Sequence, residues 1–165
     1  MNLARLLRHL FVPDLVARRA FSRADLSKIG AAIKASEALH DGQIRFVVEA
    51  SLSLPYLLRR RSSRRRAEEL FSQLKVWDTE HNAGVLVYLQ LVSRHIDIVA
   101  DRGIATKVAQ AHWDAVCDGM QSAFRRGEFL AGSLEGIARI TELLRQSFPK
   151  TPGGANELPD RPLVL

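Results

Sequence analysis

Apolar residues recur along this chain in two periods, and the switches between them outline the elements. Leu26, Ile29 and Ile33 fall at helical spacing and predict a helix from Ser22 to about Leu39, with Ser22 and Asp25 placed as a capping box. Asp41-Gly42 is turn chemistry, after which Gln43 to Ala50 reads as a strand with a buried centre. Ala67, Leu70, Phe71 and Leu74 mark the buried face of a helix that Ser62 or Ser63 would cap. Gly84 to Leu91 is the most strand-like run. Ser93-Arg94 is short enough for a hairpin, and His95 to Ala100 alternates as a half-exposed strand should.

Two long helices follow. Val108, Trp113, Val116, Met120 and Phe124 share a face of the first, which Arg125-Arg126-Gly127 should close. Leu134, Ile137, Ala138, Thr141, Leu144 and Phe148 share a face of the second. Ahead of all this, Leu3, Leu6, Leu7, Leu10 and Phe11 form an amphipathic stripe that Pro13 ends. The organisation expected is an N-terminal amphipathic segment (1–21), one domain (22–149) and a mobile Pro/Gly-containing tail (150–165). The order α-α-β-α-β-β-α-α predicts an α/β fold, a three-layer sandwich. Its small mixed sheet joins a right-handed parallel βαβ unit to an antiparallel hairpin strand, flanked by helices.

Charge changes this picture at one place. Lys and Arg number 24 against 18 Asp and Glu, and six of the cations are Arg59, Arg60, Arg61, Arg64, Arg65 and Arg66. Without them the chain is balanced, so the basicity is local and a general nucleic-acid binder is excluded. The patch has no interleaved aromatic for base stacking; it would suit an anion or an acidic partner, or face water as charge runs usually do. The single cysteine, Cys117, rules out an internal disulfide and any CxxC knuckle. Met1 to Phe11 is broken by Arg5, Arg8 and His9, which leaves no apolar block for a signal peptide, and no apolar run is long enough to span a bilayer. A cytoplasmic location is expected, with peripheral contact to the inner membrane through the first stripe and the arginines as the alternative.

The topology also predicts where chemistry collects. If the first two strands are parallel and the third returns antiparallel, the residues at the start of the first, the start of the second and the end of the third share one sheet edge. His40, Asp41, Asp78, Thr79, Glu80, His81, Asn82, Asp101 and Arg102 are then neighbours. Asp78, Asn82 and Asp101, with Asp41 and Glu80 in support, carry the oxygens a calcium ion takes, although turns and caps favour the same residue types. Other signals are thin. Ser51, Ser53 and Ser93 lack a Gly-x-Ser-x-Gly elbow, no Walker A or GxGxxG loop occurs, and His81 and His95 have no zinc-type spacing. Cys117 sits beside Val116 and reads as a packed thiol, and His112 as a helix-surface histidine.

Several of these segments form an ordered combination. Glu37-x-x-His40-Asp41-Gly42-Gln43-Ile44-Arg45-x-x-Val48-Glu49 is followed by Ala67-x-x-x-Phe71-x-x-Leu74 and Thr79-Glu80-His81-Asn82-Ala83-Gly84-Val85-Leu86-Val87-Tyr88. Asp97 to Ile104, Trp113, Met120, Phe124, Gly127 and Phe148-Pro149 continue it. This combination resembles the TPM domain family over residues 22–149, in its compact bacterial branch without signal peptide or membrane anchor. The resemblance implies an α/β sandwich, calcium bound in loops at one sheet edge in some relatives and weak acid phosphatase activity in others. It also implies partners such as LemA-type or other membrane-associated proteins. Ala83 stands where the family's loop usually carries a second Asn. Three readings follow. The first is a non-enzymatic interaction or assembly module using the sheet edge and the arginines. The second is a metal-assisted phosphomonoesterase, with Asp78, Asn82 and Asp101 at the ion and Arg102 on the phosphoryl oxygens. The third is a membrane-surface accessory protein.

Overall fold

The computed structural model describes residues 20–52, 56 and 62–165. The expected N-terminal helix, Ser53, and Arg59, Arg60 and Arg61 of the basic stretch lie outside the described residues. The capping box forms as its spacing requires: Asp25 N–H donates to Ser22 Oγ (3.1 Å) and Ser22 N–H to Asp25 Oδ2 (2.9 Å), opening α1 (Arg23–Glu37). β1 (Gln43–Glu49) leads to α2 (Ser63–Gln73), which Ser62 caps by accepting from Arg65 N–H at 3.1 Å. β2 (Gly84–Gln90) and β3 (His95–Ala100) follow. Next come the single-turn α3 (Arg102–Ala105), α4 (Gln110–Arg125) and α5 (Phe129–Ser147), and the chain ends in β4 (Leu163–Val164).

The sheet order is β3-β2-β1-β4. β1 and β2 are parallel from Gln43↔Gly84 to Glu49↔Gln90, and β2 and β3 antiparallel from Val85↔Ala100 to Gln90↔His95, as expected. The hairpin spans four residues, Leu91 to Arg94, with Arg94 at φ 54°. The Gln90 amide draws its chain in by accepting from Ser93 N–H at 2.6 Å.

Strand alternation divides the core into two. Ile44, Phe46, Val48, Val85, Val87, Leu89 and Ile98 pack against α1, α4 and α5. Val47, Leu86, Tyr88 and Val99 pack against Ala67 and Leu70 of α2 and against Leu158. α4 ends as its sequence predicts: Gly127 (φ 82°) donates to Phe124 O and Glu128 N–H to Ala123 O, both at 3.0 Å. α5 buries Ile137, Leu144 and Phe148 of its expected face, with Leu134 and Thr141 half-buried, and departs from it at its small residues. Gly132 and Gly136 are buried and Ala138 is exposed. A Cβ on Gly136 would lie 2.5 Å from Met120 Sδ, and one on Gly132 2.6 Å from Ala123 Cβ, so the two helices close on the glycines.

The expected mobile tail is packed instead. Leu158 and Pro162 are buried, and β4 pairs in parallel with Val47 and Val48. Leu165 N–H donates to Val48 O (2.9 Å) and Ala50 N–H to Leu165 O (3.1 Å). Its partners are polar groups of β1, almost a hundred and twenty residues away in sequence (~120), which a local composition signal does not report.

The tightest constraint lies where β2 begins. A Cβ on Gly84 would stand 1.9 Å from the carbonyl oxygen of Val76. Gly84→Ala must push the loop after α2 off the sheet, and should destabilise the fold by about 3 kcal/mol or more in urea denaturation. A loss under about 1 kcal/mol would show that the loop yields freely.

Candidate functional site

The sheet edge predicted from topology exists, but its side chains are largely engaged with one another. Asp41 is buried and accepts from Thr151 N–H (3.0 Å) and Thr151 Oγ1 (2.6 Å), with Lys150 Nζ at 3.2 Å and His81 Nε2 at 3.9 Å. The Thr151 hydroxyl, aided by Lys150, holds its carboxyl below the ordinary carboxylate range. Thr79 is buried and its Oγ1 accepts from Ala83 N–H at 2.9 Å. Ala83 is wholly buried, so its side chain faces the core. Asp78 and Glu80 are exposed, and Glu80 N–H donates to the Glu157 carboxylate at 3.0 Å.

Asp101 caps α3, accepting from Arg102 N–H at 2.7 Å through Oδ1. Its Oδ2 is buried without a hydrogen-bond partner. Asn82, at φ 49°, accepts from Arg102 Nε (3.2 Å) and a terminal guanidinium nitrogen (3.1 Å) through Oδ1. Gly103 is required behind them, since a Cβ there would lie 2.6 Å from Asn82 O and 2.8 Å from His81 O. Of the oxygens expected to bind a cation, then, two are buried without a hydrogen-bond partner: Asp41 Oδ1, which Lys150 Nζ faces at 3.2 Å, and Asp101 Oδ2, which no described cation faces. Among the described residues no group of three His, Cys, Asp or Glu is placed to hold a metal ion. A calcium ion takes six to eight oxygens, so the set is incomplete as arranged, and Asn82 would have to leave Arg102 to join it.

The described arginines of the basic stretch are likewise paired at home. Arg64 donates to Ile98 O (2.5 Å) and Glu68 (3.2 Å), and Arg65 Nε lies 3.9 Å from Glu69. Arg66 forks onto Glu49 at 2.8–3.2 Å, and Tyr88 OH donates to the same carboxylate at 2.5 Å. Ser63 Oγ donates to Asp97. Cys117 is half-buried, and burial pushes its thiol up to about 11, which leaves it a weak nucleophile. His112 is exposed on α4.

His40, expected at the edge, and Glu37, which the edge prediction passed over, lie just behind it. Fully buried His40 meets Ser36 Oγ at 2.8 Å through Nε2 and Gly42 O at 3.0 Å through Nδ1, and Ser36 Oγ lies 2.7 Å from Thr141 Oγ1. Glu37 Oε1 accepts from Ile44 N–H at 2.7 Å, fixing the entry into β1, while Oε2 is buried without a partner. Burial lowers His40 to about 4. Burial, with the Asp160 carboxylate adding to it, raises Glu37 to about 8. The Glu37-x-x-His40 spacing was the sequence signal for this pair.

Residues 17–143 match the family model described as the TPM domain. The chain belongs to the TPM domain family. The NMR structure of the BA42 protein from the psychrophilic bacterium Bizionia argentinensis is similar over 88% of this chain and 95% of that one. Their identity is 26% and the TM-score 0.78. The solution NMR structure of the N-terminal domain of a P. gingivalis protein is similar over 78% of each chain, with 20% identity and a TM-score of 0.63, a likeness of fold alone. No curated protein matches the chain. Among the described residues of this TPM domain, no helix is long and apolar enough to cross a membrane.

The buried pair predicts how stability depends on pH. Glu37, raised from 4.5 to about 8, binds its proton more tightly in the folded state, so its contribution is present at low pH and is lost as pH rises toward 8. His40, lowered from 6.5 to about 4, acts in the opposite sense: stability is lost as pH falls from 6.5 toward 4. The two oppose one another between 4.5 and 6.5, and Glu37 acts alone from 6.5 to 8. Unfolding free energy should therefore fall across that upper window by up to about 1.4 kcal/mol per pH unit. Glu37→Gln, which keeps the acceptor for Ile44, should flatten it; an unchanged slope in the variant would assign the dependence elsewhere.

Proposed function

We propose that this TPM domain is a non-enzymatic interaction module that meets its partner at the loop edge leading into β1 and β2. The observation that carries the reading is Trp77, 49% exposed immediately before that loop. Leu39, 52% exposed, stands before the loop into β1, and Arg102 projects from the same edge with its guanidinium steadied by Asn82. Aromatic and arginine side chains held on a rigid frame are the usual anchors of protein interfaces. The hydrogen bond between Ser36 and His40 pairs a hydroxyl with a base, but the two are 4% and 0% exposed, so a phosphate ester has no approach to them. A LemA-type or other membrane-associated protein is the partner class that the family resemblance implies.

Calcium at this edge is a second reading, and Asp101 Oδ2 is what favours it. Asp101, Asn82 and Asp78 would hold the ion, with Asn82 released from Arg102. Both readings meet one variant, Asp101→Asn, which keeps a helix cap and removes the charge.

Neither wild type nor the variant should hydrolyse an aryl phosphate; turnover by wild type that the variant loses would overturn the non-enzymatic reading. If calcium binds, the ion at about a hundred times its Kd should add about 2.7 kcal/mol to wild-type stability. A thermal upshift in wild type that Asp101→Asn loses supports the second reading, and no upshift at millimolar calcium removes it.

A further inference from the structure

On the far side of the sheet from the β3 edge, α1 and the C-terminal segment enclose a crevice of about 1050 Å³. Four cations line it: Arg23 and Lys34 from α1, Arg45 from β1 and Arg161 from the C-terminal segment. Asp160 is the one acidic residue of the lining. Arg45 is 8% exposed, and its guanidinium donates to two backbone carbonyls, Pro159 O (2.8 Å) and Arg161 O (2.7 Å), without an ion pair to any described carboxylate. A guanidinium buried against uncharged acceptors alone retains an uncompensated charge, and the space beside it is open.

The shape of the crevice selects among anions. Arg23 and Lys34 are eleven residues apart on one helix face and so stand roughly 16 Å apart along α1. Between them the surface is small or apolar: Gly30 lies close to the C-terminal segment, and Leu26, Leu163 and Val164 complete the floor. Arg23 and Lys34 so spread cannot both reach a single phosphate, but about five residues of extended chain cover the same length. β4 is also the edge strand of the sheet. Leu165 bonds to β1 through both its N–H and its carbonyl, so the alternation of the ladder turns the N–H and carbonyl of Val164 outward.

We propose that this crevice binds an extended acidic segment of a partner protein, which pairs with the β4 edge at Val164 and sets its carboxylates against Arg23 at one end and Lys34 with Arg45 at the other. Backbone pairing would supply affinity, and the spaced cations specificity. The proposal uses a different side of the sheet from the loop edge and does not depend on the reading of Trp77 and Arg102.

The test uses the full chain and a fluorescein-labelled Glu-Val-Glu-Val-Glu-Val peptide, followed by anisotropy and by amide NMR shifts. The acidic peptide should bind, bind less tightly as salt is raised, and shift the amides of Val164 and Gly30; its Lys-Val counterpart should not bind. Arg23→Glu with Lys34→Glu changes two exposed side chains, so the melting temperature should hold while peptide affinity falls by about tenfold or more. Failure of the acidic peptide to bind, equal affinity in the double variant, or shifts confined to residues 78–83 would overturn the proposal. So would phosphatidylglycerol vesicles that bind in place of the peptide and release in the double variant, which would assign the crevice to a membrane surface.

Discussion

The structure turns on a burial problem posed by β1. Gln43, Arg45 and Glu49 alternate with the apolar residues that face α1, α4 and α5, and such a pattern ordinarily leaves its polar side in water. Here all three are buried, so each must be met by a partner from elsewhere in the chain. Gln43 Oε1 accepts from Glu157 and Leu158 N–H, at 2.8 and 3.1 Å. Arg45 is met by the carbonyls of Pro159 and Arg161. Glu49 is met by Arg66 of α2 and by Tyr88 of β2. Three polar residues on one strand therefore fix where the helix and the C-terminal segment of the second layer must lie. Because such groups are costly to leave unpaired, they specify position more sharply than the small apolar cluster around Leu70 and Leu158.

This explains why one expectation failed while its neighbours held. α1, α2, the parallel β1–β2 pair and the β3 hairpin were legible because their signals are local: capping serines, helical and strand periods, and turn residues. Residues 150–165 look mobile by composition because of Pro152, Gly153, Gly154, Pro159 and Pro162. What orders them is the set of acceptors and donors they offer to β1, and nothing in the segment itself announces it. The signal lay in β1, where Gln43 and Arg45 alternate with Ile44 and Phe46; it could have been read as a polar face awaiting cover as well as a wet one. Gly132 and Gly136 were missed for a related reason. A helix face that works by close approach shows small residues where an apolar count looks for large ones.

The loop edge shows the same division between position and partner. Topology placed Asp41, Asn82, Asp101 and Arg102 at one end of the sheet, and the strand registers bear that out. The sequence did not disclose that Asp41 would be taken by Thr151 and Lys150, or Asn82 by Arg102. Loop oxygens that could ligate an ion are the same oxygens that cap helices and close turns, and only geometry shows which use has claimed them. The arginine stretch follows suit. Seen as letters it is a cationic patch, yet Arg64 and Arg66 each find an acceptor on the sheet.

The pairing pattern also locates where charge is left over. Arg66 and Lys150 reach carboxylates of low exposure, Glu49 and Asp41, and are neutralised within the fold. Arg45 reaches only carbonyls, because the segment that covers it brings backbone rather than a carboxylate. Asp160, the acidic residue of that segment, accepts from Asn156 at 2.7 Å and adds its charge to the Glu37 carboxyl instead. The cation and the carboxyl pair thus remain separately unbalanced on the same side of the sheet. Glu37 relieves its share by holding a proton, an option closed to a guanidinium, which stays charged throughout the accessible pH range. Arg45 keeps its charge with no described carboxylate paired to it, and that asymmetry between two buried groups gives the α1–β4 crevice its sign.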